Sequence, residues 1–149
     1  MGKSRFRLQK VLEIRETIEK ERQKELSLSK GRLKREEEHL ESVRSQKNAF
    51  ARRMNQVARA RVRNLVEQHS YLATLSQAVS EKRVDVSQVR QEVEHRRKNL
   101  LQASKERKVL EKLKERREEE LAAQLARSEQ AFFDELAANR RNAKANGRS

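Results

Sequence analysis

From Phe6 to Arg141 the chain holds no proline and a single glycine, Gly31. Proline and glycine punctuate compact folds, so a chain this bare of them has few means of turning and is confined to long, uninterrupted elements. Composition decides which element. Charged residues make up 40% of the 149-residue sequence, hydrophobic residues 34% and aromatic residues 3%, well short of what a spherical core of this size requires. Spaced apolar residues among Ala, Glu, Lys, Leu, Arg and Gln are the signature of long helices packed along a seam. The expected fold is all-α, a single elongated coiled-coil unit over residues 1–149.

A 3-4 spacing follows that seam. In the first half it catches Leu8, Leu12, Leu26, Leu33, Leu40, Val43, Phe50, Met54 and Val57, with Arg15, Glu19, Arg22, Ser29, Glu36 and Lys47 as polar intrusions. In the second half it catches Leu65, Leu72, Leu75, Val79, Val86, Val89, Val93, Leu100, Ala103, Leu110 and Leu121. Near the end Leu125, Phe132 and Leu136 continue it on a slightly rotated face. Apolar positions sustained over several heptads point to a coiled coil, and the drift points to stutters in a loosely wound one.

Between Glu41 and Glu67 no acidic residue occurs, while Arg44, Lys47, Arg52, Arg53, Arg59, Arg61 and Arg63 accumulate. Charge pairing that supports an exposed helix lapses there, and both stripes run out nearby. Asn64, with Glu67 three residues on, has the form of a helix-start box, and Asn55 is the neighbour best able to take a left-handed C-terminal conformation. The reading is an antiparallel two-helix hairpin of unequal arms: a first helix over about 5–55, a turn at 56–63, a second helix over 64–138 and a frayed basic tail at 139–149. At 1.5 Å per residue the arms reach roughly 75 and 110 Å, so the second overhangs the first. Such a hairpin sets positions 26 and 94 side by side and position 36 opposite about 84. The alternative is one continuous helix that dimerises as a rod.

Most searches for chemistry fail. Gly2, Gly31 and Gly147 stand alone, so there is no phosphate-cradling loop, and neither a nucleophile elbow nor an HExxH pattern occurs. Glu36 with His39 and Glu92 with His95 have a spacing that binds metal on facing bundle helices. In the hairpin the two pairs stand roughly 16 Å apart along the axis and cannot share an ion. They read as surface charge, and His69 has no acidic partner to suggest catalysis. No enzyme activity, metal or cofactor is expected. The chain has no cysteine, which fits a reducing cytosol. Met1 to Lys10 has basic residues without an apolar run behind them, so no signal peptide is expected. The longest apolar fragments, such as Leu121-Ala122-Ala123, are too short to span a membrane.

A formal net charge of +14 raises nucleic acid as a partner. Asn48-Ala49-Phe50-Ala51-Arg52-Arg53 has a fragment of the basic-zipper pattern, in which a basic helix precedes a leucine seam. Met54 and Asn55 depart from it, the upstream segment carries Glu36, Glu37, Glu38 and Glu41, and Leu26, Leu33 and Leu40 precede the basic run. A basic shaft meeting acidic protein surfaces needs fewer assumptions.

Three segments are recognisable. Leu100 to Arg116 (LLQASKERKVLEKLKER), followed by Glu129-Gln130 and Asp134-Glu135, resembles the C-terminal signature of the flagellar type III export protein FliJ. Phe6 to Glu16 (FRLQKVLEIRE) looks like the start of that family, and Tyr71 to Leu75 (YLATL) like its aromatic-rich segment after the turn. The resemblance implies an antiparallel coiled-coil hairpin similar to the gamma-subunit stalk of rotary ATP synthases. Such a stalk sits in the hexameric export ATPase FliI, contacts the export gate protein FlhA and escorts empty export chaperones. It implies a place in the cytoplasm, at the cytoplasmic face of the flagellar base, with membrane association only through partners.

On that resemblance Tyr71 and Ala78, with Leu75 partly on the seam, form the candidate gate-binding stripe at i, i+4 and i+7. The same residues also read as a local widening of the coil or a short third helix on the turn. The ATPase contact falls at the paired ends of the arms, where Arg15, Glu16 and Glu19 approach Arg107, Lys108, Glu111 and Lys114. Taken singly, these are also ordinary exposed ion pairs of about 0–1 kcal/mol each. Three function classes stand: export stalk and adaptor, generic coiled-coil scaffold, and RNA-binding helical hairpin.

Overall fold

The computed structural model describes residues 2–56 and 62–147, with side chains from Leu8 in the first stretch and from Asn64 in the second. The fold is all-α. Helix α1 spans Gly2–Gln56 and helix α2 spans Val62–Asn146, and they pack against each other as a helical hairpin. The turn expected at 56–63 falls on residues 57–61, outside the described residues.

Four sequence expectations shift at the helix ends. Helix α1 begins at Gly2 rather than near residue 5. Asn55 lies inside α1, and among the described residues none, glycine included, takes a positive φ. Asn64 is the third residue of α2 rather than the residue before its first, so the Asn64/Glu67 box does not cap it. The segment expected to fray from 139 onward is helical to Asn146. Ala137, Ala138, Ala143 and Ala145 are strong helix formers, and Lys144 in the last turn complements the helix dipole. The Gly147 amide then donates to the Ala143 carbonyl at 3.0 Å.

The chain divides into two compact units. In the unit of residues 17–104 the helices run antiparallel: Arg96 reaches Glu25, Arg32 reaches Glu92, and Lys82 reaches Glu36. Glu25 beside Arg96 sets position 26 near 94 as the hairpin reading required, and Glu36 meets Lys82, two residues from the expected 84. The core is narrow and asymmetric. Helix α2 buries Leu75, Val79, Val86, Val89, Val93 and Ala103, whereas α1 buries Leu26 and Ser29. Leu33, Leu40, Val43 and Phe50 of α1 are half-buried, as are the polar intrusions Arg22, Glu36 and Lys47. Short β-branched side chains on α2 thus lie beneath long amphipathic ones on α1, whose stems cover apolar surface while their heads stay wet.

In the unit of residues 1–16 and 105–149, Leu12 is buried and Leu8 and Leu110 are half-buried. Lys114 lies against Gln9 near the start of α1. In that register the start of α1 at Gly2 falls opposite about residue 121. From Glu115 to Gly147 every residue but Ala123 is exposed. Leu121, expected on the seam, is therefore exposed, together with Leu125, Phe132 and Leu136. Their spacing is that of a packed stripe, but among the described residues nothing packs on it.

Candidate interaction surfaces

The residues suggested for ATPase contact hold their places through cross-helix polar contacts, some of them with partners that the sequence did not point to. Arg15 Nη1 donates to Glu106 Oε2 at 2.7 Å. Lys114 Nζ donates to Gln9 Oε1 at 2.6 Å. Arg107 pairs along its own helix with Glu111 at 2.6 Å. Glu106 and Gln9 were missed because more than half of the residues here are charged or polar. The antiparallel register alone selects which of them meet. Arg15, Glu16, Arg107, Glu111 and Lys114 are half-buried, while Lys108 is exposed.

Around this polar set Val11, Ile14, Val109 and Leu113 stand exposed. These apolar residues lie off the seam in the sequence, which is the signal that could have singled them out. Glu19 belongs to the other unit, where it lines a shallow open groove with Gln23, Leu26, Arg97, Leu100, Leu101 and Ser104.

The suggested gate stripe is only partly a surface. Tyr71 is 52% exposed and Ala78 is half-buried, but Leu75 is 8% exposed and belongs to the core. The expectation that Leu75 is partly on the seam is corrected: it is wholly there. Tyr71 is itself engaged, its ring meeting Phe50 edge to face with centroids 4.7 Å apart.

The same unit carries a charge network. Glu25 accepts from Arg22 of its own helix at 3.1 Å and from Arg96 of α2 at 3.0 Å. Arg96 approaches Glu92 at 4.0 Å, and Glu92 accepts from Arg32 at 3.1 Å. The Arg22 hydrogen bond, opposed by partial desolvation and reinforced by the Arg22 and Arg96 charges, holds the Glu25 carboxyl below its ordinary range. Glu36 and Glu92, one from each Glu-x-x-His spacing, are thus committed to cations. Among the described residues no three His, Cys, Asp or Glu side chains converge.

Two antiparallel helices with their polar groups engaged in cross-helix contacts suit a structural or docking role. The family model for the flagellar FliJ protein matches residues 4–146. The chain belongs to the FliJ family. Searches of curated proteins and of solved structures returned no match. FliJ-family membership makes the chain a component of flagellar protein export, in a family that is not enzymatic. No described helix is long and apolar enough to cross a membrane.

Proposed function

We propose that this FliJ-family chain is a stalk inserted in the ring of the export ATPase FliI, where it couples the ring to the export gate protein FlhA and escorts export chaperones. It acts at the cytoplasmic face of the flagellar base and reaches the membrane only through these partners. The observation that carries the reading is the surface of the unit formed by 1–16 and 105–149. Arg15 with Glu106 and Lys114 with Gln9 tie the helices across the seam, and Lys108, Val109, Leu113, Val11 and Ile14 are left facing outward.

A face already fixed by its own cross-links loses little freedom on docking, so more of its contact energy appears as affinity. The excess of cations favours an acidic partner and speeds encounter. On the other unit Tyr71, with Ala78 beside it, is the exposed aromatic suited to anchor the gate.

The test adds the purified chain to its cognate export ATPase and follows hydrolysis and ring assembly together. Both should rise. A fully helical chain that changes neither would sink the stalk reading and favour a generic scaffold.

A further inference from the structure

The stretch of α2 from Arg117 to Asn146 presents an exposed apolar stripe on which, among the described residues, nothing packs. Leu125 and Phe132 are 58% and 59% exposed, and Leu121 and Leu136 flank them on the same face. Within about 60° of arc Leu121, Leu125, Phe132 and Leu136 line up at the spacing of a packed seam. Along it Gln130 donates to Asp134 at 3.1 Å and the Phe132 and Phe133 rings lie 6.0 Å apart. In proteins most helical stability comes from packing of the apolar face, and here that face is exposed.

Charge along this stretch is polarised. After Arg117, Glu118, Glu119 and Glu120 form an acidic block near its start, and Arg140, Arg141 and Lys144 form a basic block near its end. A parallel copy would set acid on acid and base on base. An antiparallel copy sets each block against its opposite.

We infer that the segment from Arg117 to Asn146 pairs with the same segment of a second copy of the chain, antiparallel, about a two-fold axis between Ser128 and Glu129. In that register Leu121 meets Leu136 of the second copy and Leu125 meets its Phe132, so all four apolar residues are covered twice over by one symmetric contact. Glu119 and Glu120 come within a turn of Arg140 and Arg141 of the second copy. The chain's own helices bridge comparable offsets, since Arg90 reaches Glu37 while Lys82 reaches Glu36. The inference does not depend on the export reading.

The test uses the full chain in sedimentation equilibrium, with reciprocal charge variants. The native chain should show a concentration-dependent monomer–dimer equilibrium. Glu119→Arg with Glu120→Arg, or Arg140→Glu with Arg141→Glu, should each weaken dimerisation about tenfold or more, and the four changes together should restore it. Leu125→Asp, at a site exposed in the monomer, should abolish dimerisation with helicity retained.

Orientation is read by spin labels, since the chain has no cysteine of its own. Labels on Glu129→Cys should lie within about 15 Å of each other, and those on Ala122→Cys roughly 20–25 Å apart. A chain monomeric at about 100 μM, a level at which even weak specific pairs associate, overturns the inference. So do short distances at both positions, which mark a parallel pair, and dimerisation indifferent to the charge and Leu125 variants, which places the contact elsewhere. Monomer that binds only a different protein through this stripe overturns it as well.

Discussion

The rings of Phe50 and Tyr71 meet edge to face across the two helices, centroids 4.7 Å apart and planes inclined at 72°. The exposed aromatic best placed to anchor a partner is therefore also a cross-helix contact. Tyr71→Ala should lower stability by about 0.5–1.5 kcal/mol for the ring pair plus the lost packing, whereas Tyr71→Phe should be nearly neutral. Leu75→Ala, inside the core, should cost about 2–5 kcal/mol. Chemical denaturation of the three variants checks this order. A Tyr71→Ala chain as stable as the native one would mean that the ring contact contributes nothing in solution. For gate binding Tyr71→Phe is the cleaner probe, because it alters the exposed hydroxyl and leaves the ring in place.

Glu25 gives the seam an acid-sensitive point. Its carboxyl is held below the ordinary range, first by the Arg22 hydrogen bond and then by the Arg22 and Arg96 charges. A depressed folded-state pKa stabilises the fold above the unfolded value, about 4.3, and the contribution fades as pH falls through the folded value. Glu25→Gln should therefore melt below the native chain at pH 7, with the gap closing steadily as pH falls below the unfolded value and through the lowered folded one. A gap that is constant or widens on acidification would show that Glu25 acts through packing rather than charge.

Much of this fold was legible in the sequence because its physics is one-dimensional. Leu12, Leu26, Leu75, Val79, Val86, Val89, Val93 and Ala103, the buried apolar residues, all lie on the 3-4 stripe, and buried Ser29 was among its intrusions. Antiparallel register followed from the lapse of charge pairing before Glu67. The stripe could not say where the partner helix ends, so Leu121 read as seam although it is exposed. Nor could it place the helix ends. Asn64 and Asn55 have the right chemistry for caps, but capping is set by backbone geometry at one residue. Partners in the suggested docking set were the least legible part. Whether Arg15 meets Glu106 or Glu111 turns on an axial offset of about one turn, which no charge count resolves.

Gly31 is the one glycine in a helix interior, Gly2 standing at the start of α1, and it has no visible use there. It does not take a positive φ, and a Cβ added to it meets nothing within 4 Å. Glycine inside a helix costs about 0.5–1 kcal/mol relative to alanine, mostly through the freedom of the unfolded chain. Gly31→Ala should stabilise the protein by that amount and raise its melting temperature by a few degrees. A loss of stability instead would mean that α1 bends at Gly31 or meets another body there.

The ATPase reading makes the sharpest demand on Arg107, Lys108 and Lys114. Arg107 is tied to Glu111 and Lys114 to Gln9, but both remain partly wet and Lys108 is exposed. Pairs of this kind contribute about 0–1 kcal/mol each to folding, whereas the same charges facing an acidic ring act together on association and encounter. Reversing all three to glutamate should leave helicity nearly intact and shift the melting point by only a few degrees. Stimulation of the cognate export ATPase should fall about tenfold or more, and the loss should be greatest at low salt, where unscreened charge matters most. Tyr71→Phe in the same assay should leave stimulation unchanged. Undiminished stimulation by the folded triple variant would remove these cations from the ring contact and leave Val11, Ile14, Val109 and Leu113 as the surface to test next.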